Sequence, residues 1–271
     1  MKANLQHNLL ALYNALDAHF AYEPHWWPIF TAQRQFEVMV GAVLVQQTRW
    51  EAVESAVQRL IARGWLSPAA LAAADTAELA ALIRPCAFHS QKAPGLQAIS
   101  RCLIERYDGD SAALFAQERA PLRAELLALP RIGRETADTM MLYAGQHPLL
   151  IVDAYARRLF ARIELLPGFD FLRTPYDAVQ QLVEYALGSA DLSFVARNGQ
   201  PATSNEHAFY WNFHALITEE CIHHCLVRPR CDLPGAQRRF LDPRKCAAHC
   251  HDCNGCPLRG MCAAYELMRD A

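Results

Sequence analysis

Apolar residues recur at three- and four-residue spacing through most of this chain, the period of amphipathic helices rather than the two-residue alternation of strands. Leu5 to Phe20 shows it first. Thr31 is placed to start a second helix running through Phe36 to Val45. Thr48 is placed to start a third, running from Trp50 and ending at Gly64 in the usual C-terminal glycine position. Ser67-Pro68 reads as an N-cap with proline in the first turn, and Asp75-x-x-Glu78 as a capping box. Further helices are expected at about 91–106, 119–129, 134–144, 153–165, 175–187 and 205–220. No segment alternates convincingly as a strand, and no long repeat is seen. Residues 194–204 are polar and irregular, the pattern of a loop. From Cys221 onward the helical period fades, Pro229, Pro234, Pro243 and Pro257 interrupt the chain, and cysteines become its organising feature.

With 271 residues, 52% of them hydrophobic, the chain can bury a large core in one or two domains. A formal charge of −2 offers no global attraction for nucleic acid, so any such contact must come from local arginine groups. Those groups are Arg131 and Arg134; Arg157, Arg158 and Arg162; Arg228 and Arg230; and Arg238, Arg239 and Arg244. Each reads equally well as a solvated helix face. The start of the chain has no signal-peptide core, and no apolar run approaches the roughly 18 residues of a membrane span. A soluble cytosolic protein with no membrane partner is expected.

Eight of the ten cysteines lie between Cys221 and Cys262, four of them as Cys246-x6-Cys253-x2-Cys256-x5-Cys262. In a reducing compartment dense cysteines argue for metal rather than disulfides. This spacing suits an iron–sulfur cluster or zinc. So short and proline-broken a segment has little apolar surface to bury, and bound metal would supply its folding energy.

Upstream, the stretch Leu129-Pro130-Arg131-Ile132-Gly133-Arg134-Glu135-Thr136 sets a tight turn between two helices. Glycine at 133 would permit a backbone conformation that a side chain opposes, and the turn and new helix N-terminus present N–H groups to a phosphate. Alone, such a turn is more often a plain connector. Asp153 follows four apolar residues at a helix start, 20 residues beyond Gly133. It is placed to cap that helix, or to stabilise a developing oxocarbenium ion and orient water.

The order of hairpin, aspartate and cysteine loop resembles the helix-hairpin-helix DNA glycosylases of the endonuclease III superfamily, over roughly 30–262. More narrowly, the chain is similar to the endonuclease III-related 3-methyladenine DNA glycosylases. The residues responsible are Trp26-Trp27-Pro28, Phe36 to Leu44, Gln46 to Glu54, Ile83-Arg84-Pro85, Gln91-Lys92-Ala93, Gly133 to Asp138, Leu142-Tyr143-Ala144, Val152 to Tyr155 and His214-Ala215-Leu216-Ile217. The resemblance implies an all-α protein of two helical lobes. One is a bundle at 30–150 containing the hairpin (about 119–145). The other joins 1–29 to 151–271 and carries the cysteine loop (221–262), with Asp153 in the cleft between them.

It implies a monomeric, cytoplasmic, nucleoid-associated base-excision-repair glycosylase acting on double-stranded DNA that contains a damaged base. Asp153 is the implied catalytic carboxylate, and Cys246, Cys253, Cys256 and Cys262 hold a [4Fe–4S] cluster. Leu129, Arg131, Gly133, Arg134 and Thr136 contact DNA. Gln46 and Gln47 fall where relatives push side chains into the gap left by an extruded nucleotide, Gln47 being preferred. Glu135 stands where bifunctional members carry a Schiff-base lysine; glutamate forms no imine, so hydrolysis without β-lyase activity is expected. Trp26, Trp27, Pro28 and Trp50 match positions that line the base pocket, and Glu135 is a further candidate there. A positively charged alkylated purine suits π faces and needs little acid catalysis to leave. Outside this context each tryptophan reads as ordinary core.

Arg131 departs from the resemblance by replacing the hairpin's usual first glycine, and Ala87 and His89 replace a glycine and an amide or aromatic residue. The first cluster ligand of relatives corresponds to Cys225, so an insertion of about twenty residues splits the loop. Cys221, Cys225, Cys231 and Cys250 are thereby spare. They read as buried reduced thiols, as a second, zinc-type site, or as a set from which Cys225 or Cys231 enters the cluster. Other functional readings are excision of an oxidised pyrimidine or mismatched base, and a non-catalytic redox-responsive DNA-binding protein.

Overall fold

The helical period of the sequence becomes helix almost throughout the computed structural model, which describes residues 2–20, 26–195, 202–226, 230–231, 239–240 and 255–269. The helices are α1 (Lys2–His19), α2 (Arg34–Leu44), α3 (Trp50–Ala62), α4 (Pro68–Ala73), α5 (Thr76–Leu82), α6 (His89–Tyr107), α7 (Ser111–Phe115), α8 (Arg119–Leu127), α9 (Arg134–Tyr143), α10 (Ala154–Arg162), α11 (Tyr176–Leu187), α12 (Asn205–His223) and α13 (Ala263–Arg269). A 3-10 turn covers Arg259–Met261, and one two-residue antiparallel ladder pairs β1 (Arg230–Cys231) with β2 (Arg239–Phe240). Among the described residues no helix is long and apolar enough to cross a membrane.

The chain forms two compact units, Trp27–Leu149 and Met1–Trp26 with Leu150–Ala271. In the first, α2 is the central helix: every residue from Phe36 to Leu44 is buried, and α3, α6, α7 and α9 pack on it. In the second, α12 is central. Phe209, Tyr210, Trp211 and Phe213 of α12 are buried, with Tyr13 of α1 stacked on Phe209 at 4.6 Å and Phe160 of α10 stacked on Phe213 at 6.2 Å. Each such side chain contributes roughly 1.5–3 kcal/mol by leaving water.

Helix starts follow local hydrogen bonding. Ser67 caps α4 by accepting from Ala70 N at 3.3 Å, and Asp75 caps α5 by accepting from Ala77 N and Glu78 N, each at 2.9 Å. Thr31 and Thr48 do not start helices. The buried carboxylate of Glu37 takes Phe30 N, Thr31 N and the Thr31 hydroxyl at 2.7–2.9 Å, which holds Thr31 outside α2. The Thr48 hydroxyl is engaged by Lys92 Nζ at 3.0 Å and Ala87 N at 3.1 Å, so Arg49 precedes α3 instead.

Candidate functional site

The turn between α8 and α9 places its conformational demand on Arg131, whose φ is +69°. Gly133 is extended, with φ −92° and ψ 177°, and a Cβ there would meet nothing within 4 Å. This corrects the expectation that Gly133 supplies the unusual backbone. What glycine leaves at 133 is bare backbone at the N-terminus of α9, with Arg134 and Glu135 exposed beside it. The Arg131 side chain is exposed, but its stem crosses α6 at Gly95, where its Cγ lies 3.1 Å from the place a Cβ would take. Leu129 is half-buried, and its carbonyl accepts from Ile132 N at 3.3 Å. Arg123 grips the fully buried Asp138 with two bonds, 2.7 and 3.2 Å, and so ties α8 to α9.

The two glutamines separate by what their side chains do. Gln46 Nε2 donates to Arg131 O at 3.0 Å and to the buried Thr136 hydroxyl at 2.9 Å, so Gln46 braces the hairpin. Gln47 is exposed and has a left-handed backbone, φ +52°. Beneath this loop lies Lys92, 0% exposed, donating to Leu44 O at 2.8 Å, Gln46 O at 2.7 Å and Thr48 Oγ1 at 3.0 Å.

Trp27 is buried against Gly41, edge-on to Trp50 at 5.4 Å and tilted over Tyr143 at 4.9 Å. Trp50, the first residue of α3, is half-buried, and its buried indole Nε1 has no hydrogen-bond partner among the described residues. Pro28 is half-buried, on the segment that Glu37 anchors.

In the other unit Asp153 caps α10: its Oδ1 accepts from Ala156 N at 2.7 Å, leaving Oδ2 3.8 Å from His214 Nε2. One side chain thus caps α10 with one oxygen and turns the other toward His214. The carboxylate is 8% exposed. Trp26 stands edge-on to His214 at 5.7 Å and donates from its indole to Glu219 Oε1 at 2.7 Å. The four aromatic and apolar candidates therefore divide: Trp26 keeps company with Asp153, while Trp27, Pro28 and Trp50 lie with α2, α3 and α9.

Cys246, Cys250 and Cys253 lie outside the described residues, and only the backbone of Cys231 is described. Cys221, Cys225, Cys256 and Cys262 are drawn together around the end of α12 by Arg162 and Glu220. Arg162 Nη1 donates to Cys225 Sγ at 3.3 Å, the Cys262 thiol donates to Arg162 O at 3.7 Å, and the Cys256 thiol donates to Glu220 Oε1 at 3.0 Å. Gly255 lies against His224, with 3.3 Å between the ring and the place of a Cβ. The Cys221 thiol donating to it, with Arg162 and Arg158 alongside, brings the Cys225 thiol down to about 6 despite burial, and Cys221 is pushed up in return. Burial raises Glu220 to about 7 and also raises Cys256 and Cys262. Among the described residues no three metal-competent side chains stand in coordinating geometry.

The arginines of α10 bind protein rather than standing free for phosphate. Arg157 donates to Phe171 O and Thr174 O, Arg158 to Cys225 O, and Arg162 to Leu226 O, at 2.6–2.8 Å. Two of these place positive charge at the carbonyl end of α12, where the helix dipole favours it. In the sequence Glu220 carries no sign of a role, Lys92 and His214 count only toward the family resemblance, and Arg162 only toward an arginine group. Lys92 carried one signal, a lysine on the apolar stripe that includes Leu96 and Ile99. The partners of the other three are too far away in sequence to be read.

A family model described as HhH-GPD superfamily base excision DNA repair protein matches residues 40–184. A protein of Methanocaldococcus jannaschii, provisionally named a DNA repair glycosylase, is 31% identical over 233 residues, 86% of this chain and 95% of its own length. Endonuclease III of Thermotoga maritima is 34% identical over 148 residues, 54% of this chain and 63% of that protein. The fold is shared with the H. pylori 3-methyladenine DNA glycosylase bound to 1,N6-ethenoadenine: TM-score 0.64, 24% identity, 78% of this chain and 95% of that one. It is also shared with an endonuclease III–DNA complex: TM-score 0.63, 19% identity, 97% and 98% covered. The family match, covering more than half of the chain, and the relative matched almost end to end establish that this protein belongs to the HhH-GPD superfamily of base excision repair DNA glycosylases.

Proposed function

We propose that this glycosylase is monofunctional, and that it hydrolyses the N-glycosidic bond of a cationic, alkylated purine in duplex DNA, acting as a monomer. The observation that carries the hydrolytic reading is the absence of an available amine on α9. Its first turn presents Glu135, exposed, and the whole chain has three lysines, Lys2, Lys92 and Lys245. Lys92 is buried and engaged by three oxygens, and Lys2 lies over the Tyr185 ring at 4.2 Å. A β-lyase needs an amine to form an imine with the sugar; a carboxylate supplies only charge.

Asp153 is the proposed catalytic carboxylate. Its capping bond fixes the side chain, and Oδ2 is left to stabilise positive charge at C1′ and orient the water that captures it. The substrate reading rests on the indoles. Trp50, half-buried, offers a π face, which favours an electron-poor, cationic purine. The hairpin turn, Arg131 and Arg134 hold phosphates, and Gln47 fills the gap in the stack.

A [4Fe–4S] cluster suits the thiols that converge on Arg162 and Glu220, with one buried carboxylate oxygen of Glu220 unpartnered beside them among the described residues. Cys256 and Cys262 would hold it, with Cys253 and either Cys246 or Cys225 by spacing and position. When bound, the cluster supplies iron–thiolate bonds that fold this segment.

The test is incubation with duplexes carrying 3-methyladenine, 7-methylguanine, 1,N6-ethenoadenine, an oxidised pyrimidine or mismatched adenine, with base release followed by chromatography. Release of an alkylated purine, with strand breaks only after alkali, is expected. Release of the pyrimidine or mismatched base alone overturns the substrate reading, and strand breaks without alkali overturn the hydrolytic one.

A further inference from the structure

Lys92 presents a chemical oddity. A fully buried ammonium normally has a carboxylate partner, because a charge removed from water needs compensation. Its three acceptors are all neutral oxygens: Leu44 O, Gln46 O and Thr48 Oγ1. Burial accordingly pulls its pKa down, with Cys86 opposing and Arg131 adding to the fall. An apolar side chain of the same length would leave those three oxygens without this donor, so the use of the ammonium lies in what they hold.

Position shows what the use is. Leu44 ends α2, where helix carbonyls lack partners within the helix. Gln46 O and Thr48 Oγ1 flank Gln47 on either side, and Gln47 is left-handed, a conformation that residues other than glycine hold only at a cost. The Thr48 hydroxyl also donates to Gln46 O at 3.1 Å and accepts from Ala87 N at 3.1 Å, so the ring of bonds closes around the turn. On the other side Gln46 is fastened to the hairpin through Arg131 O and Thr136 Oγ1. One ammonium therefore links the end of α2, the Gln47 turn and, through Gln46, the DNA-facing hairpin.

We propose that Lys92 is the positioning residue for base extrusion: its three bonds hold Gln47 in the strained turn from which the glutamine enters the DNA stack. This rests on the reading of Gln47 as the wedge. Lys92 touches neither substrate nor reacting atoms; it acts through Gln47.

The probe is a duplex with a tetrahydrofuran abasic analogue and 2-aminopurine on its 3′ side, whose fluorescence rises when the wedge unstacks it; no knowledge of the lesion is needed. Lys92→Met keeps length and removes charge. It is expected to bind the duplex with near wild-type affinity by anisotropy, while the fluorescence rise falls about fivefold, which corresponds to roughly 1 kcal/mol of lost preorganisation. A variant that loses affinity and fluorescence in proportion has only a structural defect, and that outcome overturns the proposal. Gln47→Ala runs in parallel. If it loses the fluorescence rise while Lys92→Met retains it, the proposal fails and the wedge reading stands. If Gln47→Ala keeps the full rise, the wedge reading fails and takes the proposal with it. Should Lys92→Met not fold, Thr48→Val removes one of the three acceptors and is judged by the same two signals.

Discussion

Arg131 shows how much a single residue can conceal. Its replacement of glycine is visible in the sequence; that it, and not Gly133, takes the positive φ is not, because backbone torsions follow from the closure of α8 on α9. A left-handed arginine costs about 1 kcal/mol relative to glycine. Its stem recovers part of that against Gly95. We propose that the exposed end of the side chain repays the rest by contacting DNA. Arg131→Gly is therefore expected to gain up to about 1 kcal/mol in urea denaturation and to bind undamaged duplex more weakly, with a shallower salt dependence. Unchanged affinity and salt slope would remove Arg131 from the DNA-contacting set. Asp153 was better advertised, since its place after an apolar run at a helix start is a sequence pattern. His214, which faces its second oxygen, comes from a distant helix, and the sequence marked it only as part of the family resemblance.

At the scale of elements, the helices were legible because buried stripes impose their period, and Ser67 and Asp75 capped where their spacing said they would. Thr31 and Thr48 misled for a physical reason: a hydroxyl marks a helix start only if nothing else binds it, and here Glu37 and Lys92 do. The end of α12 is the element whose meaning is chiefly structural. Arg158 and Arg162, legible only as a charge group, neutralise its carbonyls and bring Cys225 to the side of Cys256 and Cys262. Among the described thiols of the disputed set, Cys225 is the one that Arg162 holds beside Cys262, and we propose it as a cluster ligand. Purified Cys225→Ser is expected to lose most of its iron and its visible absorbance near 400 nm, and Cys246→Ser to keep them. The reverse pattern would restore the uninterrupted four-cysteine spacing as the ligand set.

For the whole molecule, composition was nearly silent: a charge of −2 gives no hint of a DNA partner. The family emerged from the order of motifs along the chain, hairpin, aspartate and cysteine segment, rather than from any one of them. The candidate pocket residues were less legible, because adjacent tryptophans pack in different units, Trp26 on His214 and Trp27 on Trp50. Asp153 is the proposed catalytic group of a hydrolytic glycosylase, and Asp153→Asn isolates that carboxylate. Asparagine is also a good N-cap, so α10 and the melting temperature are expected to be retained. Single-turnover release of base from alkylated duplex DNA should then fall by about 10²–10³-fold, the scale for removing one charge-stabilising group. Base release by Asp153→Asn at the wild-type rate would contradict a catalytic role for Asp153.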